Sequence, residues 1–421
     1  MASQLHGASR LADAPRPAQS WLTRKLTRRR VLAYSRLFMV VSLLIWVAWL
    51  VAANAHVDRN GKLAGGDFIT FYAASDLVTH GHADRAYDLQ TIHQAETEAA
   101  GKDIGTFAFH YPPTFLLIVG GLSLAPYLLA LAVWLAVTAL ALFVAARHWL
   151  NESVVFWPAV AFPGLYQNAI DGQTGFLSAA LLAGGLLLLK RRPLLAGVLL
   201  GLITYKPHFA PLVFVALLVL KPRTALIGAI ASSAGVALLS FVVLGDGAWR
   251  AFVNDIPFAT DLLYHGGLSL AKMTSVSGAL LLLHVPVLAT KVLQVAVSIA
   301  CAGYVVWLWR SEAPDRLRYA GLCIAITLAA PFAFDYDLPI FGLGLLFLGL
   351  ECNATMWCAW EPELLTLAWI LPVAFTPIAI ATSVGTFPIV CAALLYLLAR
   401  RVRTPVPLQP FGELSVLPLA A

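Results

Sequence analysis

Along this chain apolar residues come in long blocks, and polar residues gather in short breaks between them. A helix needs about 20 apolar residues to cross a bilayer, fewer where it is short or re-entrant. On that measure the blocks 32–54, 113–146, 152–168, 174–189, 193–205, 208–220, 223–244, 287–309, 317–333, 337–350, 365–382 and 384–400 are candidate spans. Proline cannot continue a helix from its interior, so Lys206–Pro207 separates two of them. The short apolar stretch 276–286 is a candidate re-entrant segment. The pattern predicts an all-α polytopic membrane protein. A single multi-span domain over 32–403, with about 10–12 transmembrane helices, lies between a basic tail 1–31 and a Pro-rich tail 404–421.

Two breaks are too long to be simple turns. Residues 55–112 contain Asp67, a helix-like stretch at 71–80 and the aromatic run from Phe107 to Pro113. A structureless loop beyond about 15 residues is uncommon in a compact protein. Aromatic and apolar residues at helical spacing predict instead an ordered loop lying on the membrane surface. The second long break covers 245–286.

Composition agrees with the pattern: 60% of residues are hydrophobic, 12% are charged, and mean hydropathy is +0.80. A soluble domain carries about 25% charged residues. The net charge of +6 would raise nucleic acid as a partner for a soluble protein. Here the basic residues stand at the ends of apolar blocks, where they record topology, and no nucleic-acid partner is expected.

With the N-terminus inside and alternating crossings, inside segments carry nineteen Lys and Arg and outside segments seven. The outside ones are Arg59, Lys62, Arg85, Lys102, Lys206, Arg250 and Lys272. This bias has the sign of the positive-inside rule. It places both tails in the cytoplasm and both long breaks outside. The first apolar block is too long for a signal-peptide core, so an uncleaved first span is expected. The five cysteines, Cys301, Cys323, Cys352, Cys358 and Cys391, lie mostly in apolar context without a CxxC pair or a His cluster. Neither a disulfide framework nor a metal site is expected from them.

In this topology the unusual polar residues collect at the outer ends of the spans. Asp67 follows Gly65-Gly66, whose lack of side chains lets backbone approach a partner. A carboxylate in a low-dielectric cleft at the membrane boundary has its pKa raised towards a general base's range. Asp67 equally suits an N-cap for a helix over 68–80. Lys206 stands at a helix break, where freed backbone groups and an ammonium together suit a phosphate. A lysine at membrane depth is costly unless paired or facing water, and snorkelling to the interface is the alternative. His208 is a second donor to the same phosphate, or a polar interfacial residue.

Asp335 and Asp337 face the same way if the chain is extended and diverge if it is helical. As a pair they suit a metal or acceptor hydroxyls; otherwise they form a cap and turn before the span from 337. Asp171 and Gln173 are candidates for hydrogen bonds to sugar hydroxyls, or for an Asp-Gly turn between spans. His110-Tyr111-Pro112-Pro113 reads as a helix entry. His110 and Tyr111 are candidate substrate contacts, or aromatic anchors at the interface.

Together these motifs resemble glycosyltransferase family 87, which contains polyprenyl-phosphate-mannose-dependent mannosyltransferases of bacterial envelopes. The likeness runs from about residue 60 to residue 345. It is carried by Gly66-Asp67-Phe68-x-x-Phe71-Tyr72-Ala73-Ala74, by His80-Gly81 with Ala86-Tyr87-Asp88, and by Phe109-His110-Tyr111-Pro112-Pro113. Asn168-Ala169-Ile170-Asp171-Gly172-Gln173-Thr174-Gly175 is similar to the family's Asn-Gly-Gln-x-Gly motif, with Asp171 where Asn is usual. Thr204-Tyr205-Lys206-Pro207-His208 and Ala330-Pro331-x-x-Phe334-Asp335-Tyr336-Asp337-Leu338 resemble its Lys-Pro and Asp-Tyr-Asp-Leu motifs.

The resemblance implies a GT-C type bundle whose first outer loop carries the catalytic carboxylate, and a sugar donor on a polyprenyl phosphate. It implies Asp67 as general base, Lys206 and His208 on the leaving phosphate, and inversion at the anomeric carbon. It implies a bacterial plasma membrane with the site on the outer face, and a lipid-linked or envelope-glycan acceptor. The lipid phosphate already leaves well, so the chemistry demands no cofactor or metal, and the chain has no Gly-rich nucleotide loop. Asp171 replaces a donor-acceptor amide by a pure acceptor, which bears on the sugar or the acceptor. The second reading is a flippase or transporter of lipid-linked sugars without chemistry. Transporters tend to carry inverted repeats and charge near the bilayer midplane, and this sequence shows neither.

Overall fold

The computed structural model describes residues 27–52, 63–151, 153–221 and 223–404, with Lys25 and Val406. Most of the basic tail, positions 53–62 and nearly all of the Pro-rich tail lie outside the described residues. Among the described residues the chain is helical and forms no strand, only an isolated antiparallel bridge between Met273 and Phe334.

The helices are α1 (Arg28–Ala52), α2 (Phe68–Thr79), α3 (Leu89–Ala100), α4 (Pro113–Val119), α5 (Tyr127–Ala146), α6 (Ser153–Val160), α7 (Pro163–Asp171) and α8 (Gly175–Leu188). They continue as α9 (Pro193–Gly201), α10 (Ala210–Val219), α11 (Thr224–His265), α12 (Val276–Leu282), α13 (Val287–Arg310), α14 (Asp315–Ala329), α15 (Leu338–Ala354), α16 (Glu361–Thr382) and α17 (Phe387–Arg403). Among the described residues five helical segments are long and apolar enough to cross a bilayer. They are Tyr127–Trp149, Thr224–His265, Val287–Arg310, Asp335–Ala354 and Glu361–Thr382. Shorter apolar helices, Gly175–Leu188, Pro193–Tyr205 and Ala210–Val219 among them, complete the bundle. The protein is an all-α polytopic membrane protein.

Several boundaries differ from the hydropathy pattern. The block 113–146 is two helices, α4 and α5, parted at Gly120-Gly121 with Pro126 before α5. The block 152–168 is likewise split between α6 and α7, with Pro163 opening the second. Each proline pre-sets a first turn and removes an amide that a continuous helix would need. The break 245–286 is largely helical. Gly245, at φ +80°, interrupts α11, and residues 246–265 resume as a helix. The stretch 276–286 opens with the short α12.

Two apolar clusters organise the molecule. The larger joins α8, α9, α10, the start of α11, α13, α14, α15, α16 and α17. In it α15 is enclosed by other helices, whereas α5, α11, α13 and α16 keep most of their apolar surface facing outward. Val242 on α11 is 72% exposed, as suits a side chain facing lipid tails. The smaller cluster packs α2, α3 and α4 on the first half of α5, and includes Tyr205 and Ala248. Both contribute to one seam: Tyr205 belongs to the smaller cluster and Phe209 to the larger, with Lys206 between them.

Opposite ends of α15 differ in chemistry. Asp337 stands at its N-terminus. At the other end Arg316 donates to the Leu350 carbonyl, and Arg401 clasps buried Glu361 while also donating to Thr355 and the Met356 carbonyl. Seventeen helical residues separate these ends, about 25 Å at 1.5 Å per residue.

Candidate active site

Two glycine turns bring the first acidic residues together. Gly66 has φ +39° and Gly172 φ +61°, conformations that favour glycine. A Cβ on Gly172 would sit 2.6 Å from Phe68 Cβ and 2.8 Å from the Gly65 carbonyl oxygen; one on Gly66 would sit 3.2 Å from Asp171 Oδ1. The turns therefore interlock, and Asp67 meets Asp171 and Gln173. Trp134 Nε1 donates to the Gly172 carbonyl at 3.0 Å, and the Tyr127 hydroxyl donates to the Ala64 carbonyl at 2.7 Å, so both turns are anchored to α5. Asn168 Nδ2 donates to the Tyr336 carbonyl at 3.1 Å and its Oδ1 accepts from the Phe176 amide at 3.3 Å, which brings the third acidic motif to the same place.

Asp67 occupies the N-cap position of α2, but its side chain makes no capping bond. Its Oδ2 instead accepts from Gln173 Nε2 at 3.1 Å. Gln173 Oε1 accepts from the Tyr111 hydroxyl at 2.9 Å and from the Thr174 amide at 3.1 Å, so the amide is held with its donor towards Asp67. Burial pushes the Asp67 carboxyl up to about 6, and the neighbouring Asp171 charge adds to this; Gln173, Lys272 and Lys206 work against it. At neutral pH a carboxyl with this pKa is mostly ionised and already basic enough to accept a hydroxyl proton in a transition state.

Asp335 and Asp337 lie in a 3-10 turn, so they diverge, and each meets a different lysine. Asp337 Oδ1 accepts from Lys206 Nζ at 2.5 Å, an ion pair whose members are 3% and 2% exposed. The rings of Tyr336, Phe209 and Tyr111 stand 5.1, 5.5 and 5.7 Å from that ammonium. Asp335 Oδ2 lies 4.0 Å from Lys272 Nζ, which also reaches Asp171 Oδ2 at 3.2 Å and Oδ1 at 3.5 Å. Among the described residues no three His, Cys, Asp or Glu side chains are grouped as a metal site.

The remaining expected residues lie around this network. Tyr111 is packed against Phe115 and Phe71, with centroids 4.5 and 5.4 Å apart, rather than placed as an outward anchor. His110 Nδ1 pairs with Asp255 Oδ2 at 2.7 Å, which joins the segment before α4 to the second half of α11. His208 packs edge-on against Phe209 at 4.3 Å. The structure thus brings Asp67, Tyr111, Asp171, Gln173, Lys206, Asp335 and Asp337 into one network, with His110 and His208 beside it and turned to other partners.

Sequence reasoning missed Lys272, Asp255, Asn168 and Glu96. Lys272 and Asp255 fall in the break 245–286, where no periodicity marked one residue above another. Asn168 opens the Asn-x-x-Asp-Gly-Gln motif, but its role as a backbone tie needs the fold. Glu96 is fully buried on α3 and accepts from the Phe107 amide at 3.0 Å, which pins the segment leading to His110 and Tyr111. Burial pushes its carboxyl up to about 8, although the Phe107 amide opposes this.

The fold and the site define a helical membrane protein with paired carboxylates and lysines gathered at the N-terminal end of its enclosed helix. The chain belongs to glycosyltransferase family 87, whose family match covers residues 109–332, and it is accordingly a glycosyltransferase. That match includes His110, Tyr111, Asp171, Gln173, Lys206, His208 and Lys272; Asp67, Asp335 and Asp337 lie outside it. No curated protein and no solved structure matches the chain.

Proposed function

We propose that this protein moves a hexose, mannose by the family likeness, from a polyprenyl-phosphate donor to a lipid-linked or envelope-glycan acceptor. The site stands on the non-cytoplasmic face of a bacterial plasma membrane, in a GT-C type bundle. In the step, Asp67 takes the proton of an acceptor hydroxyl. The freed oxygen pair attacks the anomeric carbon, and the bond from that carbon to the phosphate oxygen breaks with inversion. The electron pair leaves on the polyprenyl phosphate.

Lys206 supplies the positive charge on this side of the site; His208 beside it, which burial and the Lys206 charge push down to about 3, is neutral and can offer only an N–H to the same phosphate. An ammonium has three hydrogens, and sharing them between Asp337 and a phosphate oxygen stabilises charge as it develops. Asp171, Gln173, Tyr111, His110, Asp335 and Asp337 shape the sugar and acceptor side. The outer-face placement is supported by the Lys and Arg bias and by the separation of the acidic end of α15 from its basic end.

The observation that carries this reading is the carboxylate of Asp67. It is turned away from its own helix, held by Gln173, and raised to about 6. The test is transfer of radiolabelled mannose from polyprenyl-phosphate mannose to a membrane lipid extract by purified protein in liposomes. The expected result is transfer by the wild type, an acid limb near pH 6, and a loss of at least about 100-fold in Asp67→Asn. Equal transfer by the folded variant would remove Asp67 from its role. No transfer from any polyprenyl-phosphate sugar, with lipid translocation instead, would favour a flippase.

A further inference from the structure

We propose that Lys272 makes the first grip on the donor phosphate, ahead of Lys206, and that its contacts with Asp171 and Asp335 are the resting position it leaves when donor binds. This rests on the donor class proposed above and adds the residue that recognises it.

The charges of the network set the problem. Among the described residues, Asp67, Asp171, Asp335 and Asp337 face only Lys206 and Lys272 as cations. A phosphate entering such a site meets an excess of carboxylate, so a cation must be free to meet it. Lys206 is poorly suited to first contact, being 3% exposed, locked on Asp337 and roofed by aromatic rings. Lys272 is 42% exposed, and its three carboxylate contacts are long, at 3.2, 3.5 and 4.0 Å. Burial works against its charge, yet Asp335 and Asp171 outweigh this and hold the ammonium above its usual range, so it is charged at neutral pH.

Its backbone is nevertheless fixed. Residues Leu270–Lys272 form a 3-10 turn, Met273 bridges Phe334, and the Thr274 amide donates to the Ala333 carbonyl at 2.9 Å. Thr274, Ser275 and Ser277 behind it are fully buried. The chain thus holds the root of a flexible, partly exposed side chain beside the acidic pair. That combination suits a cation that must change partners without moving its backbone.

Exchange of partners also acts on Asp67. The groups that bear on it are Asp171, Gln173, Lys272 and Lys206, with Asp335 and Glu96 also within electrostatic range. Lys272 lowers the proton affinity of Asp67. Drawing its ammonium onto a phosphate weakens that effect and makes Asp67 a stronger base while the donor is in place.

The experiment measures binding of undecaprenyl phosphate, in nanodiscs, to the wild type, Lys272→Met and Lys272→Arg. Phosphatidylglycerol nanodiscs and inorganic phosphate serve as separate arms. Transfer kinetics follow wherever transfer is found. The expected result is wild-type binding to undecaprenyl phosphate above both controls, at least tenfold weaker binding in Lys272→Met, and most of it restored in Lys272→Arg. In transfer, Lys272→Met raises KM for the donor more than it lowers kcat, and moves the acid limb to higher pH. That shift reports the resting contact with the acidic pair; the rise in KM and the loss of undecaprenyl phosphate binding are what a purely structural lysine would not produce. Wild-type binding with an equally tight Lys272→Met would overturn the role of Lys272 and leave the donor class standing. So would loss of folding in both variants. No preference of the wild type for undecaprenyl phosphate over phosphatidylglycerol would overturn the donor class, and this inference with it.

Discussion

Asp67 and Lys206 answer differently to the loss of charge, because one is a buried charge under strain and the other is half of a closed pair. For Asp67 the folded carboxyl is held at about 6, above the ordinary 3.8. The folded state therefore binds more protons than the unfolded state between those values, and this group costs stability as pH rises through that window. Asp67→Asn is expected to unfold at a higher temperature than the wild type at pH 7, with the gap closing by about pH 4. A thermal scan against pH in detergent checks the sign. Lys206→Met should cost about 3–5 kcal/mol, because it strands the Asp337 carboxylate inside the protein. Adding Asp337→Asn should recover much of that loss, and a double-mutant cycle on the same scans would show it. Both residues could be picked out from the sequence, since a charge beside a glycine pair or a helix break is unusual in an apolar chain. Their partners could not. Lys272 supplies the counter-charge to Asp171, which stands where the family's motif has Asn, and about a hundred residues separate the two.

At the scale of elements, site geometry depends on tight turns more than on the helices they join. The turn at Gly172 is seated on Phe68 and on the Gly65 carbonyl, and a methyl group there has no room. Gly172→Ala is expected to cut transfer at least as much as it lowers stability, because it pushes the Asp171–Gln173 turn away from Asp67. If initial rates of folded Gly172→Ala match the wild type, the turn does not set the distance. The helices themselves were mostly readable from hydropathy, including the break at Lys206–Pro207 that parts α9 from α10. The splits at Gly120-Gly121 and Pro163 were punctuated in the sequence but submerged in apolar runs, since a bilayer rewards such runs whether or not the helix is continuous. The half of α11 after Gly245 was read as part of a polar break. Its helix is stabilised by packing on the segment between α2 and α4 through Tyr87 with Phe252 and His110 with Asp255, contacts that leave no local pattern.

On the scale of the whole molecule, all groups assigned to the reaction stand at one end of α15, with the basic clasp of Arg401 and Glu361 at the other. For the proposed reaction this has an electrical consequence. Sugar passes from the lipid donor to an acceptor on the same face, and the hydroxyl proton goes to Asp67 and then to the aqueous phase on that side. No charge crosses the membrane's field at any stage. Moving one elementary charge fully across it would be worth about 2.3 kcal/mol per 100 mV. Transfer in proteoliposomes should therefore run at the same rate under an imposed potential of either sign. A rate that tracks voltage would mean that a charged lipid, and not only a sugar, is being carried.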